Sequence, residues 1–209
     1  SREFYVHSGM FVNRRACRGP WLWAEEMVRR KKDEALATRE ALLDAAEQVF
    51  RASGVARATL GDVASAAGVT RGAVYWHFRD KSELFAAMCS RATLPMQSRL
   101  QQAAESDGDD AIATLREVSV QALREIASSP RTRAVLEIVL CKSERLSEAV
   151  NGAPHADEMD RQCVRAVERI VVRAVGQGSL PAQTDTSLAA HLLQAFFHGV
   201  IQLWLTHPD

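Results

Sequence analysis

The stretch from Thr59 to Phe85 contains two short helical patterns joined by a glycine turn. The first pattern opens on Thr59 with Asp62 three residues later, which is typical of a capped helix start. Gly68 supplies the left-handed residue that a tight turn between helices needs, and Thr70 caps the second pattern. A small-residue turn between two short helices predicts a helix-turn-helix, whose second helix enters the major groove of DNA.

The polar residues of this stretch have the chemistry that DNA contacts require. Hydroxyl, imidazole and ammonium groups donate hydrogen bonds to phosphate oxygens. Arg71 can span both acceptors of a guanine edge, or can reach a phosphate alone. Gly72 and Ala73 keep the second helix thin, so that its backbone can approach closely. The predicted DNA-binding residues are Thr59, Thr70, Arg71, Gly72, Ala73, Tyr75, His77 and Lys81.

Other residues of the stretch have simpler interpretations. Capping alone accounts for Thr59, and His77 can be a surface residue at a helix end. The apolar residues Val74, Trp76 and Phe78 are expected to pack the second helix onto its neighbours. A further helix is predicted from Asp80, with Glu83 as its capping-box partner, so that free backbone N–H groups beside Lys81 suit an anion.

The run TRGAVYWHFRDKSELF resembles the TetR family of bacterial repressors, in particular the AcrR-like branch that controls multidrug efflux pumps. Other parts of the chain also resemble that branch, and they are Val28 with the basic run 29–32, Thr38-Arg39, Arg131-Thr132-Arg133, Glu137-Ile138 and Lys142. The resemblance begins near residue 27 and is specific in the first third of the chain. It implies an all-α homodimer that binds double-stranded operator DNA and is released by a small hydrophobic effector in the cytoplasm.

Composition leaves DNA binding to local charge. Lys and Arg number 26 and Asp and Glu number 26, so the formal net charge is zero. Basic residues nevertheless cluster at 29–32 and 71–81, which is where a DNA contact is expected. The run 29–32 can equally be a solvated tail. The four cysteines are widely spaced and include no C-x-x-C pair, which predicts free thiols in a reducing compartment.

Residues 1–26 lack a helical period and capping signals. They also lack the apolar run of a signal peptide. We interpret them as an upstream extension, a remnant of cloning or the product of a misplaced start. The alternative is a disordered DNA-binding arm, because the segment contains Arg2, Arg14, Arg15 and Arg18.

The rest of the chain shows helical periodicity throughout, which predicts an all-α fold. A three-helix DNA-binding domain is expected over 27–85, with its first helix starting at Thr38, and a helical ligand-binding and dimerisation domain over 86–209. Helices are further predicted from Asp80 past Pro95 to about 105, and over 110–128, 131 onward, 156–177 and 185–206. A loop is expected around Asn151–Pro154.

The last predicted helix has no charged residue between Leu188 and Leu205, and its length suits a membrane span. A stripe of His191, Gln194, His198 and Gln202 makes a span unfavourable. We therefore expect a dimer interface, with an intrachain core helix as the alternative. The predicted interface residues are Leu188, Leu192, Ala195, Phe196, Gly199 and Leu203. The family uses this helix and one further helix for dimerisation and usually continues beyond Asp209, so the resemblance implies a weaker dimer if the chain is truncated there.

An effector pocket is expected between the broad apolar faces of the second domain, although each of its residues can also be ordinary core. The candidates are Phe85, Met88, Leu123, Ile138, Cys141, Val164 and Val167. No metal site is predicted, because His191 and His198 have no nearby carboxylate on their face. No cofactor or enzymatic motif is found. The alternatives to an efflux repressor are a regulator of metabolic or other genes, an activator, or a ligand-binding protein with weakened DNA binding.

Overall fold

The computed structural model describes residues 20–141 and 154–207, with side chains described over 25–140 and 158–207. These residues form only helices and turns, which confirms the all-α prediction. Residues 151–153 of the expected Asn151–Pro154 loop, Lys142 and most of segment 1–26 lie outside them, whereas Pro154 begins a helix. In chain order the helices are α1 Pro20–Ser53, α2 Leu60–Ala66, α3 Arg71–His77, α4 Lys81–Glu105, α5 Ala111–Ser128, α6 Pro130–Cys141, α7 Pro154–Gly176 and α8 Thr186–Thr206.

The first helix starts earlier than its apolar period predicts. We expected it to begin at Thr38 and found no helical signal in residues 1–26, whereas α1 begins at Pro20. Residues 25–37 of α1 are exposed, so this part of the helix needs no apolar stripe and its sequence shows no apolar period. Straight-chain residues with high helix propensity and the i,i+4 pair Arg30–Glu34, 3.4 Å apart, support this part instead.

The chain divides into two compact units, Ser1–Ala41 and Leu42–Asp209, and the division falls within the length of α1. The main core of the second unit joins α1, α2, α3, α4 and α6. Its fully buried members include Leu42, Phe50, Val74 and Met88. This core continues across the domain boundary predicted at residue 85, so packing does not break there. The division into a DNA-binding domain and a ligand-binding domain stays a prediction.

Two further clusters pack α7 against its neighbours. Ala166, Ile170 and Ala174 pack with α4 and α5, and Val167 and Val171 pack with Ala190 of α8. Helix α4 continues through Pro95, which lies on its exposed side. Its first half therefore packs in the main core and its last turns pack in the cluster with α5 and α7. The predicted continuation of this helix to about residue 105 is therefore confirmed.

Side chains at the end of α7 and directly after it fix the connection between α4 and α5. The Arg173 guanidinium donates to the carbonyls of Ala103 at 3.1 Å and Ala104 at 3.4 Å, and also to that of Ser106. Gln177 donates to the Gly108 carbonyl at 2.8 Å and accepts from the Ala111 N–H at 2.9 Å. These bonds satisfy carbonyls at the end of α4 and an N–H at the start of α5.

Helix α8 has one covered side and one open side. Within its own chain it buries Ala190 and Ile201. On its polar stripe, Gln194 lies 3.1 Å from His198, and His198 lies 3.7 Å from the Asp160 carboxylate of α7. It is the one helix among the described residues that is long and apolar enough to cross a membrane, judged by length and composition.

Candidate nucleic-acid interface

The turn between α2 and α3 is built as the sequence predicts. Thr59 and Asp62 form a complete capping box at the start of α2, with the Thr59 N–H 2.9 Å from the Asp62 carboxylate. Gly68 has φ +68°, and the Val69 N–H returns to the Ala64 carbonyl at 3.0 Å. Because a Cβ on Gly68 would meet no atom within 4 Å, the glycine is required by the backbone conformation and not by space.

Helix α3 exposes one side and buries the other. Its cap Thr70 accepts the Ala73 N–H at 3.3 Å. Val74 and Phe78 are buried, as expected, and anchor the helix on the main core. Five of the residues along this segment are exposed, and they are Thr70, Arg71, Gly72, Tyr75 and Trp76. Ala73 and His77 are half-buried.

Trp76 was expected to pack against neighbouring helices, and this prediction is wrong. Its side chain is 89% exposed, more than any other large apolar residue on the described surface. The reason is geometric. Two residues advance about 200° around a helix, so the burial of Val74 turns Trp76 outward. Composition alone favours burial of tryptophan, and only the helical phase relative to Val74 and Phe78 identifies it as exposed.

Arg71 and Tyr75 lie one turn apart and contact each other. The Arg71 guanidinium donates to the Tyr75 hydroxyl at 3.3 Å, and its carbon lies 5.8 Å from the centre of the Tyr75 ring. Both residues are exposed. The contact holds a cation and a phenol side by side on the open face of α3, where each can donate to a phosphate or a base edge.

The ammonium of Lys81 is used within the chain. It donates to the carbonyls of Val55 at 2.8 Å, Ala56 at 3.0 Å and Ala58 at 3.0 Å, in the segment between α1 and α2. Partial burial lowers the pKa of this lysine. A phosphate contact through Nζ would have to break these bonds, whereas the backbone N–H of Lys81 lies at the open first turn of α4.

The start of α4 differs in one detail from the predicted capping box. The Asp80 carboxylate accepts the Glu83 N–H at 2.8 Å, as expected. The Glu83 carboxylate, however, accepts from Arg79 rather than from the cap residue, at 2.8 Å from its backbone N and 3.0 Å from Nε. These bonds lower the pKa of Glu83 and raise that of Arg79. Arg79 and Glu83 thus form an ion pair beside the first turn of α4.

A four-residue charge cluster joins α1, α4 and α6. Arg91 of α4 pairs with Asp44 at 2.9 Å and with Glu47, both on α1. Arg131, the second residue of α6, pairs with the same two carboxylates, at 3.5 Å from Glu47. Two residues further along α6, Arg133 lies 4.7 Å over the ring of Trp204 on α8. Sequence reasoning missed this cluster, because its members are distant along the chain.

The predicted effector-pocket residues are divided among different packing clusters of the described chain. Phe85, Met88 and Ile138 belong to the main core, and Val167 belongs to the cluster with α8, against which Val164 packs. Leu123 is exposed and the Cys141 side chain lies outside the described residues. They separate because the first half of α4 packs on one core and its second half on another. A pocket formed by these seven residues stays a prediction.

A cleft of about 530 Å³ lies elsewhere, between the end of α4 and α7. Its lining is largely charged and comprises Ala104, Glu105, Ser106, Asp107, Arg165, Glu168, Arg169, Val172 and Arg173. Three arginines face three carboxylates in this lining, so the cleft has no excess of one charge and does not suit an apolar effector.

The predicted dimer-interface residues share the open side of α8. Phe196 is 72% exposed, Leu203 65%, Leu192 61% and Leu188 55%. Ala195 is also exposed and Gly199 is half-buried, so the helix surface is flat between the larger side chains. A contiguous apolar face of this kind, which no described residue of the chain covers, is typical of a surface that a partner covers.

Comparison with known proteins agrees with this architecture. Residues 42–88 match the family described as bacterial regulatory proteins, tetR family, and residues 110–209 match the MAATS-type transcriptional repressor C-terminal region. The chain is 36% identical over 184 residues to the HTH-type transcriptional regulator TtgR of Pseudomonas putida, covering 88% of this chain and 87% of TtgR.

Two solved structures of efflux-pump repressors are similar. SmeT, the repressor of the Stenotrophomonas maltophilia multidrug efflux pump SmeDEF, aligns with TM-score 0.70 and 35% identity over 81% of this chain and 79% of SmeT. NalD, the secondary repressor of the MexAB-OprM multidrug efflux pump in Pseudomonas aeruginosa, aligns with TM-score 0.74 and 29% identity over 84% of this chain and 87% of NalD. The match to the family at the helix-turn-helix, together with relatives that align over most of their length, establishes that the chain belongs to the TetR family of transcriptional repressors.

Proposed function

We propose that this repressor binds a pseudo-palindromic operator as a homodimer, is released by a small hydrophobic effector, and controls a multidrug efflux operon. The observation that carries the DNA step is helix α3, which buries Val74 while exposing Thr70, Arg71 and Tyr75. An exposed helix face with a cation and hydroxyl donors, presented by a rigid turn, suits the major groove.

The proposed contacts divide into two kinds. Arg71 reads a base edge, and Gly72 and Ala73 allow close approach. Hydroxyl and imidazole donors, from Thr70, Tyr75 and His77, position the helix on phosphates. Thr59 and Lys81 support DNA binding mainly by stabilising the helix-turn-helix, since the Thr59 hydroxyl caps α2 and the Lys81 ammonium binds three carbonyls. The N–H groups at the start of α4 offer a further phosphate contact.

Dimerisation through the open face of α8 would place two copies of α3 on one DNA duplex. The predicted interface residues of this face are exposed in the single chain, apart from the half-buried Gly199. Two reading helices bind half-sites about one helical turn apart. Neither copy then needs high affinity alone, because the second binding event is intramolecular.

Release is proposed to pass through the cluster of Asp44, Glu47, Arg91 and Arg131. The two carboxylates lie on the part of α1 whose apolar side packs in the core that supports α2 and α3. The two arginines lie on α4 and α6, in the half of the chain expected to bind effector. An effector that favours another position of α4 or α6 would pull these arginines from α1, and its differential affinity for the two states would lower DNA affinity.

The efflux operon and the effector class rest on the relatives. SmeT and NalD are repressors of multidrug efflux pumps, and SmeT is also known as a complex with triclosan, which aligns with TM-score 0.74 and 35% identity. We infer a similar apolar effector for this chain, and a cytoplasmic location where operator DNA is accessible. Regulation of other genes would leave the DNA-binding step unchanged.

The test is fluorescence anisotropy on the DNA upstream of the protein's own gene and of the nearest efflux operon, with shuffled DNA of the same length and a salt titration. We expect tight, salt-steep binding that prefers one natural sequence. Arg71→Ala should reduce that preference, whereas Arg161→Ala, an exposed arginine on α7, should not. Equal affinity of the wild type for natural and shuffled DNA contradicts the proposal.

Triclosan is the first effector probe. We expect it to lower operator affinity in the wild type and to lower it less in Arg131→Gln, because that variant weakens the link between α6 and α1. Isothermal titration would check that Arg131→Gln still binds the probe. Equal release of the wild type and a triclosan-binding Arg131→Gln variant would show that the cluster does not transmit the effect.

A further inference from the structure

Trp76 is placed where no described residue of its own chain covers it. It is 89% exposed, while Val74, two residues earlier, is fully buried. Gly72 lies one turn before Trp76 on the same outward side of α3. A Cβ on Gly72 would have only the Thr70 hydroxyl nearby, at 3.9 Å. The indole therefore stands on the centre of the open face, beside a position that has no side chain.

The neighbours of Trp76 indicate which molecule covers it. Arg71 and Tyr75 flank the same face and present donors that suit nucleic acid. In the major groove, the apolar group that a base edge presents is the C5-methyl of thymine. An exposed indole beside these proposed nucleic-acid contacts gains most by covering such a methyl, because covering removes apolar surface of both groups from water.

We propose that Trp76 is a specificity-determining residue that reads a thymine methyl in each half-site. The inference rests on the proposed operator binding and adds one position of the DNA sequence to it. Trp76 lies five residues after Arg71, which is about 7.5 Å along the helix. With a rise of about 3.4 Å per base pair, the thymine lies about two base pairs from the base that Arg71 contacts.

The experiment is a double-mutant cycle between protein and DNA. Each thymine of the bound operator is replaced in turn by deoxyuridine, which removes the methyl and keeps the Watson–Crick edge. For the wild type, one symmetric pair of positions should lower affinity by about fourfold per methyl. For Trp76→Ala the same replacement should have no effect, and for Trp76→Phe the effect should be intermediate.

Controls separate a specific contact from a loss of fold. Thermal unfolding of Trp76→Ala should match the wild type, because the side chain is exposed. Leu94→Ala, an exposed apolar residue on α4, should keep the deoxyuridine profile of the wild type.

Three results would overturn the inference. If every deoxyuridine effect is the same in wild type and Trp76→Ala, the indole reads no methyl. If Trp76→Ala weakens operator and shuffled DNA equally, the residue contacts the DNA backbone only. If the wild type itself does not prefer the operator, the proposed operator binding fails first, and the base-reading role of Trp76 fails with it.

Discussion

Arg91 of α4 and Glu47 of α1 form an ion pair in which both side chains are largely buried, with 13% and 14% of their surface exposed. The same guanidinium also pairs with Asp44 at 2.9 Å, and Arg131 provides a second cation for both carboxylates. Buried charges are tolerated when they are paired, and removal of one partner leaves the other desolvated. The pair therefore stabilises the joint between α1 and α4 only as long as both charges are present.

Replacement of Arg91 by methionine should lower the free energy of unfolding by about 1–3 kcal/mol, because Glu47 then keeps only the more distant Arg131. Urea unfolding followed by circular dichroism would measure the change. The control is Arg30→Met, which removes the exposed Arg30–Glu34 pair and should change stability by no more than about 0.5 kcal/mol. Equal effects of the two substitutions would show that burial adds nothing to the Arg91 pair.

Two glycines of the helix-turn-helix should respond differently to alanine. Gly68 has φ +68°, a conformation that costs an L-residue about 1–2 kcal/mol, so Gly68→Ala should lower the melting temperature. Gly72 lies in helix α3, where alanine is favoured over glycine by about 1 kcal/mol, so Gly72→Ala should keep or raise it. Among folded molecules, Gly72→Ala should weaken operator binding more than Gly68→Ala does, because only a Cβ at Gly72 lies on the proposed DNA-binding face of α3. Thermal melts and operator titrations would separate the two effects.

The helix-turn-helix could be predicted from sequence because its signals are local. Thr59, Gly68, Thr70 and Asp80 act within four residues of their own positions, and the structure has each helix start and the positive φ where these residues place them. The start of α1 could not be predicted in the same way. It has no buried face to generate a period, and propensity alone is a weak guide to a helix boundary.

The exposed side of α3 and the charge cluster could not be predicted from the sequence. Tryptophan is usually buried, and Trp76 is exposed because the burial of Val74 and Phe78 fixes how α3 is rotated about its axis. Asp44 and Arg131 are 87 positions apart, so no spacing rule connects them. The sequence likewise indicated Lys81 as a cation near DNA and gave no sign of the three carbonyls that bind it.

Substitution of Lys81 would separate its two possible roles. Its ammonium donates to three carbonyls that precede α2, so Lys81→Met should destabilise the protein by about 1–3 kcal/mol. At a temperature where the variant is fully folded, the salt dependence of operator binding should match the wild type. A lost phosphate contact would instead lower the slope of log affinity against log salt by about one. Lys81→Arg, which keeps the charge, is the control for the slope.

A charge on the open face of α8 should prevent assembly. Phe196 is 72% exposed in the single chain and lies among the predicted interface residues, so Phe196→Glu would bury a carboxylate against the partner. We expect a monomer by light scattering and a loss of operator affinity of about a hundredfold or more. Leu94→Glu makes the same change at an exposed residue of α4 and should stay dimeric. A dimeric Phe196→Glu variant would place the interface elsewhere.

The capping box of α2 should make part of the stability depend on acid pH. Hydrogen bonds from the Thr59 hydroxyl and backbone N–H lower the pKa of Asp62 in the folded chain. A carboxyl with a depressed folded pKa stabilises the fold above its unfolded pKa of about 4, and this contribution disappears as pH falls through the lower folded value. Asp62→Asn should therefore melt below the wild type at neutral pH, and the difference should shrink as the pH falls below about 4. Asp33→Asn, on the exposed part of α1, serves as the comparison in thermal melts across this range. A wild-type advantage over Asp62→Asn that stays constant down to strongly acidic pH would show that the carboxylate charge contributes nothing to the cap.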